Sequence, residues 1–126
     1  MTTFPFVHRE TVRFRDVDAL GHVNNAVYST YLEQARIALL APAGAEISSM
    51  ILARIEIDFK SQLELGETVE IAVWPTRVGN KSFELAYELK AGDRVVGEAK
   101  SVLVAYDYDR RQSQPLPDSW RKLLTA

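Results

Sequence analysis

The sequence predicts an α+β domain in which a curved antiparallel β-sheet wraps around one long central α-helix. Three observations carry this. Residues 26–41 contain no Gly or Pro and place apolar side chains at helical spacing. Four later segments alternate apolar and polar residues and are separated by short turn signals. Only one apolar helix is available to cover one apolar sheet face, so the economical arrangement curves the sheet around it.

Each element follows in order. Thr11-Val12-Arg13-Phe14 alternates and reads as a short first strand. Residues 16–25 carry Asp, Gly and Asn and read as a loop. In the helix, Tyr28, Leu32, Ala35 and Leu39 fall at i, i+4, i+7 and i+11, one face of a 3.6-residue period. Asn24 or Asn25 is the expected N-cap, and Pro42 and Gly44 stop the helix. Ser29, Glu33 and Arg36 share another face, where Glu33 and Arg36 are expected to pair at i, i+3. Ile51, Ala53, Ile55, Ile57 and Phe59 then alternate with Leu52, Arg54, Glu56, Asp58 and Lys60, a strand with one apolar and one mainly charged face. Leu65-Gly66-Glu67 marks a turn before Val69, Ile71 and Val73. Gly79-Asn80 marks another before Phe83, Leu85, Tyr87 and Leu89, and Ala91-Gly92-Asp93 leads into a last strand over residues 94–106. Short connections favour antiparallel neighbours, so these four strands are expected to form a meander. Asp118 is expected to cap a short terminal helix through Trp120 and Leu124. Together these elements make one domain over residues 1–126.

Composition narrows the function classes. With 126 residues there is room for one domain with a sizeable core. The 15 Lys and Arg are scattered against 17 Asp and Glu, and a net charge of −2 gives no footprint for nucleic acid. No cysteine is present, which excludes disulfides, thiolate metal sites and a Cys nucleophile, and leaves the redox compartment open. The N-terminal residues have neither a basic stretch nor a long apolar run. The longest near-apolar run, residues 37–45, is half a membrane span and contains Pro42 and Gly44. A soluble protein without a membrane partner is therefore expected, and a cytoplasmic location follows by elimination. Phosphate-cradling glycine loops, dinucleotide fingerprints and serine nucleophile elbows are absent. His8 and His22 cannot make a conventional zinc site without Cys, and Asp16-Val17-Asp18 offers a divalent cation only a lone pair of acids, so no metal is expected.

The densest polar cluster precedes the helix: Asp16-Val17-Asp18-Ala19-Leu20-Gly21-His22-Val23-Asn24-Asn25-Ala26-Val27-Tyr28. Two acids, a His and two Asn exceed what a turn and a cap require. They also lie where free N–H groups at a helix start stabilise developing negative charge. A carboxylate beside such donors acts as nucleophile or as base for water on a polarised carbonyl. The structural alternative makes Asp16 and Asp18 loop and capping residues and packs His22 locally.

This stretch, continued by Tyr28 and Tyr31-Leu32-Glu33-Gln34-Ala35-Arg36, resembles the hotdog-fold 4-hydroxybenzoyl-CoA thioesterase-like family, which includes many acyl-CoA thioesterases. Asp58-Phe59-Lys60 with Leu63-Glu64-Leu65-Gly66-Glu67 and Gly79-Asn80-Lys81-Ser82-Phe83 are similar to further family segments, and the likeness covers residues 12–106. The resemblance implies a hotdog fold and hydrolysis of an acyl-CoA thioester to free acid and CoA. Asp18 matches the family's catalytic carboxylate, as nucleophile or general base. The N–H of Asn25 matches the group that polarises the thioester carbonyl, and Asn25 stands where some relatives carry a histidine. His22 takes a supporting role and Asp16 orders the loop. Glu33 is the other acid to watch, since a second hotdog type uses a helix carboxylate, against its pairing with Arg36. Lys81, with Ser82 in the same turn, matches a CoA phosphate contact, against the alternative of an exposed hairpin lysine. Arg77, Lys60 and Arg110-Arg111 are weaker candidates. Tyr28 and Tyr31 are candidates for an acyl pocket or for core.

A thioester needs few residues. Thiolate leaves readily, its pKa being near ~8.5, so no triad and no cofactor is required. The resemblance also implies a homodimer with sites at the subunit interface, often doubled to a homotetramer, and exposed strand edges agree with that. Two alternatives stay open: a thioesterase acting on acyl carrier protein, and a non-catalytic acyl-CoA-binding domain on the same fold. A dehydratase or hydratase of related fold is imitated only loosely by Asp18 and His22.

Overall fold

Helix α1, Asn25–Leu40, begins where the sequence supplies a cap. Asn24 is extended, and its Oδ1 accepts the Ala26 N–H at 2.9 Å, which settles the choice between the two asparagines. After Leu40 a 3-10 turn containing Pro42 follows, and Gly44 takes a left-handed φ of 72° that favours glycine. The computed structural model describes residues 3–45 and 49–126.

The predicted face of α1 is buried: Tyr28, Leu32, Ala35 and Leu39 are joined by Tyr31 and Leu40. Arg36 corrects the expected surface pair with Glu33. It is only 5% exposed and donates to the Tyr87 hydroxyl at 3.4 Å, and no Glu33–Arg36 ion pair forms among the described residues. Arg36 lies four residues beyond Leu32, on the same side of the helix, and so turns toward the sheet.

The sheet contains β1 (Phe6–Thr11), β2 (Met50–Phe59), β3 (Thr68–Val78), β4 (Ser82–Ala91) and β5 (Arg94–Asp107), with a short β6 (Gln112–Ser113) on β5. All pairs are antiparallel and the strand order is β1-β3-β4-β5-β2. Two expectations change here. The first strand lies at Phe6–Thr11, because Phe14, read as its apolar end, is 81% exposed and starts a 3-10 turn. The meander has three strands, β3-β4-β5, not four, since β2 crosses to the far edge of β5. The connection over residues 60–67 is longer than a hairpin loop. The edge of β3 that β2 was expected to fill is taken by β1, whose ladder continues through Val12 N–H to Glu67 O at 2.8 Å.

A bulge between Leu52 and Arg54 also shifts the alternation within β2. Leu52 therefore pairs with the buried Leu103, and Ala53 leaves the apolar face where its sequence position put it. Along the inner faces of β3 and β4 the alternation holds. Val69, Ile71 and Val73 of β3 and Phe83, Leu85, Tyr87 and Leu89 of β4 are buried under α1. Each such side chain contributes roughly 1.5–3 kcal/mol by leaving water. The terminal helix α2, Asp118–Leu124, buries Trp120 and Leu124 as expected, with Trp120 edge-on to Phe83 at 6.3 Å. Its cap position is Pro117, and Asp118 is the first helical residue without a capping bond. Among the described residues no helix is long and apolar enough to cross a membrane.

Candidate active site

Asp18 sits on a tight turn between Val17 and Val23, which form an antiparallel bridge. The Asp18 N–H reaches His22 O at 2.9 Å, and the Gly21 N–H reaches Asp18 O at 3.0 Å. Gly21 has φ 81°, a conformation that glycine adopts at little cost. Asp18 Oδ1 accepts the Leu20 N–H at 2.9 Å, an Asx-turn that orients the carboxylate. Oδ2 has no partner among the described residues and the side chain is exposed.

The turn is docked on the 60–67 connection. His22 bridges Glu64, and the Val23 N–H donates to Leu63 O at 2.9 Å. The connection is braced in turn by Arg94, which reaches Gln62 O at 3.0 Å and both Glu67 carboxylate oxygens at 2.9 Å. Asp18, His22, Asn25 and Tyr28 then line one cleft of about 530 Å³ with Phe59 and Lys60. Four residues singled out from sequence thus meet in space.

Helix α1 opens into this cleft with its N-terminus. Its first donors are largely used: Asn24 N–H goes to Asp16 O at 3.1 Å, Ala26 N–H to Asn24 Oδ1, and Val27 N–H to Asn24 O. The Asn25 N–H has no acceptor among the described residues. A free first-turn N–H at the positive end of a helix is suited to an oxygen that gains negative charge.

Tyr28 closes one wall. Its ring packs edge-on to Phe59 at 5.0 Å and its hydroxyl donates to Ser61 O at 3.4 Å. Burial pushes its phenol pKa up, so it stays a neutral donor.

Asp16, two residues before Asp18, has the opposite environment. It is 4% exposed, and Oδ2 accepts the Arg13 N–H at 2.9 Å and the Tyr31 hydroxyl at 2.8 Å. The Arg13 guanidinium adds contacts at 3.4 Å. Burial raises the Asp16 pKa, but these hydrogen bonds outweigh it and the net shift is downward.

The remaining candidates lie elsewhere. Lys81 and Ser82 occupy the β3–β4 turn, where Ser82 pairs with Val104 while Phe59 pairs with Gly97 on the same strand. That separates the turn from the Asp18 cleft by roughly 23 Å along β5. Within one chain, therefore, Lys81 and Ser82 do not meet Asp18. Lys60, rated lower from sequence, is the cation that lines the cleft. Glu33 lines a second cavity of about 250 Å³ at the other end of α1, with Arg36, Leu40, Met50 and Leu103. Phe59, Ser61 and Gln62 were not read as site residues. Only their place beside the segment Asp58-Phe59-Lys60 could have pointed to them. Among the described residues no group of three His, Asp or Glu side chains is placed to hold a metal ion.

A family model described as the thioesterase-like superfamily matches residues 12–124. The chain belongs to that superfamily. This thioester hydrolase is 30% identical, over 121 residues, to a 1,4-dihydroxy-2-naphthoyl-CoA hydrolase of Nostoc punctiforme, an overlap covering 90% of this chain and 82% of that protein. Among solved structures it is similar to a thioesterase from Thermus thermophilus complexed with coenzyme A and zinc. That likeness has 32% identity and a TM-score of 0.87, over 98% of this chain and 94% of the other. A 1,4-dihydroxy-2-naphthoyl-CoA thioesterase from Synechocystis shares the fold at 18% identity and TM-score 0.86, over 95% of each chain. The curled antiparallel sheet around one helix is thus the hotdog fold.

Proposed function

We propose that this thioesterase hydrolyses acyl-CoA, with Asp18 as the reacting carboxylate and the Asn25 N–H as the carbonyl's hydrogen-bond donor. The observation that carries the reading is the pairing, on one cleft, of a carboxylate oxygen and a helix-start N–H that both lack a partner among the described residues. The thioester oxygen accepts from Asn25 N–H as the carbonyl carbon becomes tetrahedral, a contribution of roughly 3–4 kcal/mol. Asp18 Oδ2 attacks that carbon itself or takes the proton from attacking water. The C–S bond then breaks and CoA leaves as the thiolate, which takes up a proton. Where Asp18 is the nucleophile, water next hydrolyses the acyl-Asp18 anhydride. On either route the free acid is released with the Asp18 carboxylate restored. His22 shapes the turn through its backbone, Tyr28 walls the acyl group, and no cofactor enters any step.

The CoA is expected to engage a second copy. Strand β2 is a 10-residue edge strand with no partner on its outer side among the described residues. Two-fold pairing of β2 with the same strand of a second copy would be antiparallel. It would set the Phe59 end of one chain beside the Met50 end of the other, bringing the partner's Lys81–Ser82 turn toward the Asp18 cleft. Lys81 is then the phosphate contact of a homodimer's composite site, and two such dimers make the homotetramer. We place this single domain in the cytoplasm as part of the same reading. Aromatic acyl-CoAs head the substrate panel, because the similar proteins bear naphthoyl-CoA names and the exposed Phe59, backed by Tyr28, presents aromatic surface.

The test is thiol release from aromatic, short, medium and long acyl-CoAs by wild type and Asp18→Asn. Wild-type turnover with at least a hundredfold loss in the variant is expected. Undiminished hydrolysis by Asp18→Asn would remove Asp18 from the reaction. Tight acyl-CoA binding without hydrolysis would turn the protein into a binding module. Label entering Asp18 in a single turnover in ¹⁸O-water would identify it as the nucleophile, since a general base never acquires label. Sedimentation should give two or four times the 14.2 kDa chain mass; a fully active monomer would overturn the composite site.

A further inference from the structure

The two halves of the candidate site come from different segments: Asp18 from a turn, the Asn25 N–H from the first residue of α1. Besides the bridges to the 60–67 connection, the residue at the root of the turn ties the two directly. Asp16 accepts the Asn24 N–H on its backbone oxygen, which ties it to the helix cap. Its buried carboxylate accepts the Tyr31 hydroxyl at 2.8 Å, which ties it to the second turn of the same helix. The other side-chain contacts of Asp16 come from Arg13, on the approach to the turn, and not from α1. Tyr31 is thus the only helix side chain holding the carboxylate among the described residues.

We propose that Tyr31, acting through Asp16, is a positioning residue that holds the Asp18 turn in register with the start of α1. The proposal rests on the reading that Asp18 and the Asn25 N–H carry the reaction. Tyr31 does not line the Asp18 cleft; it borders a neighbouring hollow with Glu10, Arg13 and Gln34. Substrate in the cleft does not reach it, so its influence runs through the loop. Burial and the neighbouring Asp16 carboxylate raise its pKa, so the phenol keeps its proton and donates at any ordinary pH. The arrangement explains why the loop holds two acids. The buried one anchors, and the exposed one, two residues on, faces the cleft.

The geometry predicts a specific kinetic signature. With its side-chain tie to the helix lost and only the Asn24 N–H to Asp16 O contact left, the turn shifts relative to the Asn25 N–H, and misplacement of about 1 Å costs up to ~10²-fold in rate. Substrate affinity, set by the remaining cleft walls and by the CoA contacts, stays. Tyr31→Phe should therefore lower kcat about 10- to 100-fold with KM within about twofold. Tyr87→Phe is the control. It removes another buried hydroxyl, bonded to Ser101 at 2.5 Å and to Arg36, without touching Asp16. It should keep kcat within about twofold of wild type. Amide exchange adds a second readout, in which Leu20 and Gly21 N–H should exchange faster in Tyr31→Phe while β3 and β4 stay protected.

Equal kcat losses in the two variants, or a Tyr31→Phe kcat within about twofold of wild type, would overturn the proposal. A Tyr31→Phe chain that fails to fold would also overturn it, by assigning the hydroxyl to the fold. Asp18→Asn separates this from failure of the underlying reading. If that variant hydrolyses like wild type, the assignment of Asp18 falls, whatever Tyr31→Phe does.

Discussion

The two ends of α1 are built on different principles. Its N-terminal end meets a polar cleft held by hydrogen bonds: Asn24 caps, Asp16 anchors, and Asp18 stands exposed on a turn bridged to the 60–67 connection. Its C-terminal end is packed into the sheet through Leu39 and Leu40 beside a cavity where Met50 and Leu103 meet Glu33 and Arg36. The Lys81–Ser82 turn belongs with the second end, so one chain carries the parts of the proposed site at opposite poles.

The sharpest way to break this contrast is a double dissociation. Asp18→Asn should reduce kcat by a factor of roughly 10²–10⁴. Its thermal midpoint should stay put, because an exposed side chain away from packing moves stability by only about ±0.5 kcal/mol. Leu39→Ala should do the reverse. Leu39 is fully buried in the sheet-facing stripe, and its truncation costs about 2–5 kcal/mol of stability. Chemical denaturation and initial rates on the same preparations check both. A Leu39→Ala chain that stays folded yet loses turnover as Asp18→Asn does would merge the two ends functionally.

A smaller effect joins the poles again. Lys81→Ala should raise KM for acyl-CoA about 3- to 10-fold while leaving kcat unchanged, the pattern of lost uniform binding. The same substitution should not alter KM for a truncated thioester that lacks the nucleotide phosphates. Equal effects on both substrates would remove Lys81 from phosphate recognition. Lys60→Ala is the comparison, since Lys60 lines the Asp18 cleft within the same chain.

How much of this was legible in the sequence differs between the same two regions. The buried face of α1 and the inner faces of β3 and β4 follow from periodicity, since burial against one layer enforces the pattern that reveals it. The cluster of residues 16–28 was legible as a candidate site by its excess of polar groups, and the structure brings Asp18, His22, Asn25 and Tyr28 to one cleft. Its division of labour was not legible: Asp16 and Asp18 look alike until burial separates them. Strand order also escaped the sequence. Local alternation is the same whether β2 pairs with β3 or crosses to β5, and only the closure of the sheet by β1 decides. Arg36 misled for a related reason, since a long charged side chain at the edge of an apolar stripe reads as surface until a buried hydroxyl receives it.

The smallest expected effect concerns acid stability and tests the anchor directly. Burial raises the Asp16 pKa, but donation from the Arg13 N–H, Tyr31 and the Arg13 guanidinium brings it below its ordinary 3.8. A carboxylate whose folded pKa is depressed binds fewer protons folded than unfolded. Its stabilisation is therefore present above the unfolded value near ~3.9 and lost as pH falls through the lower folded value. Glu67, lowered despite burial by the Glu64 N–H and Arg94, titrates in the same direction at the 60–67 connection. Tyr31→Phe withdraws one donor from Asp16 and leaves the Glu67 contacts intact. The fall in unfolding free energy from about pH 5 to pH 3 should become shallower in that variant, with the Glu67 share common to both proteins. Urea denaturation across this range measures the slope. Identical slopes would show that the Asp16 carboxylate is held by Arg13 alone, and the polar end of α1 would then be tied to its loop by the backbone contact with Asn24 and by little else.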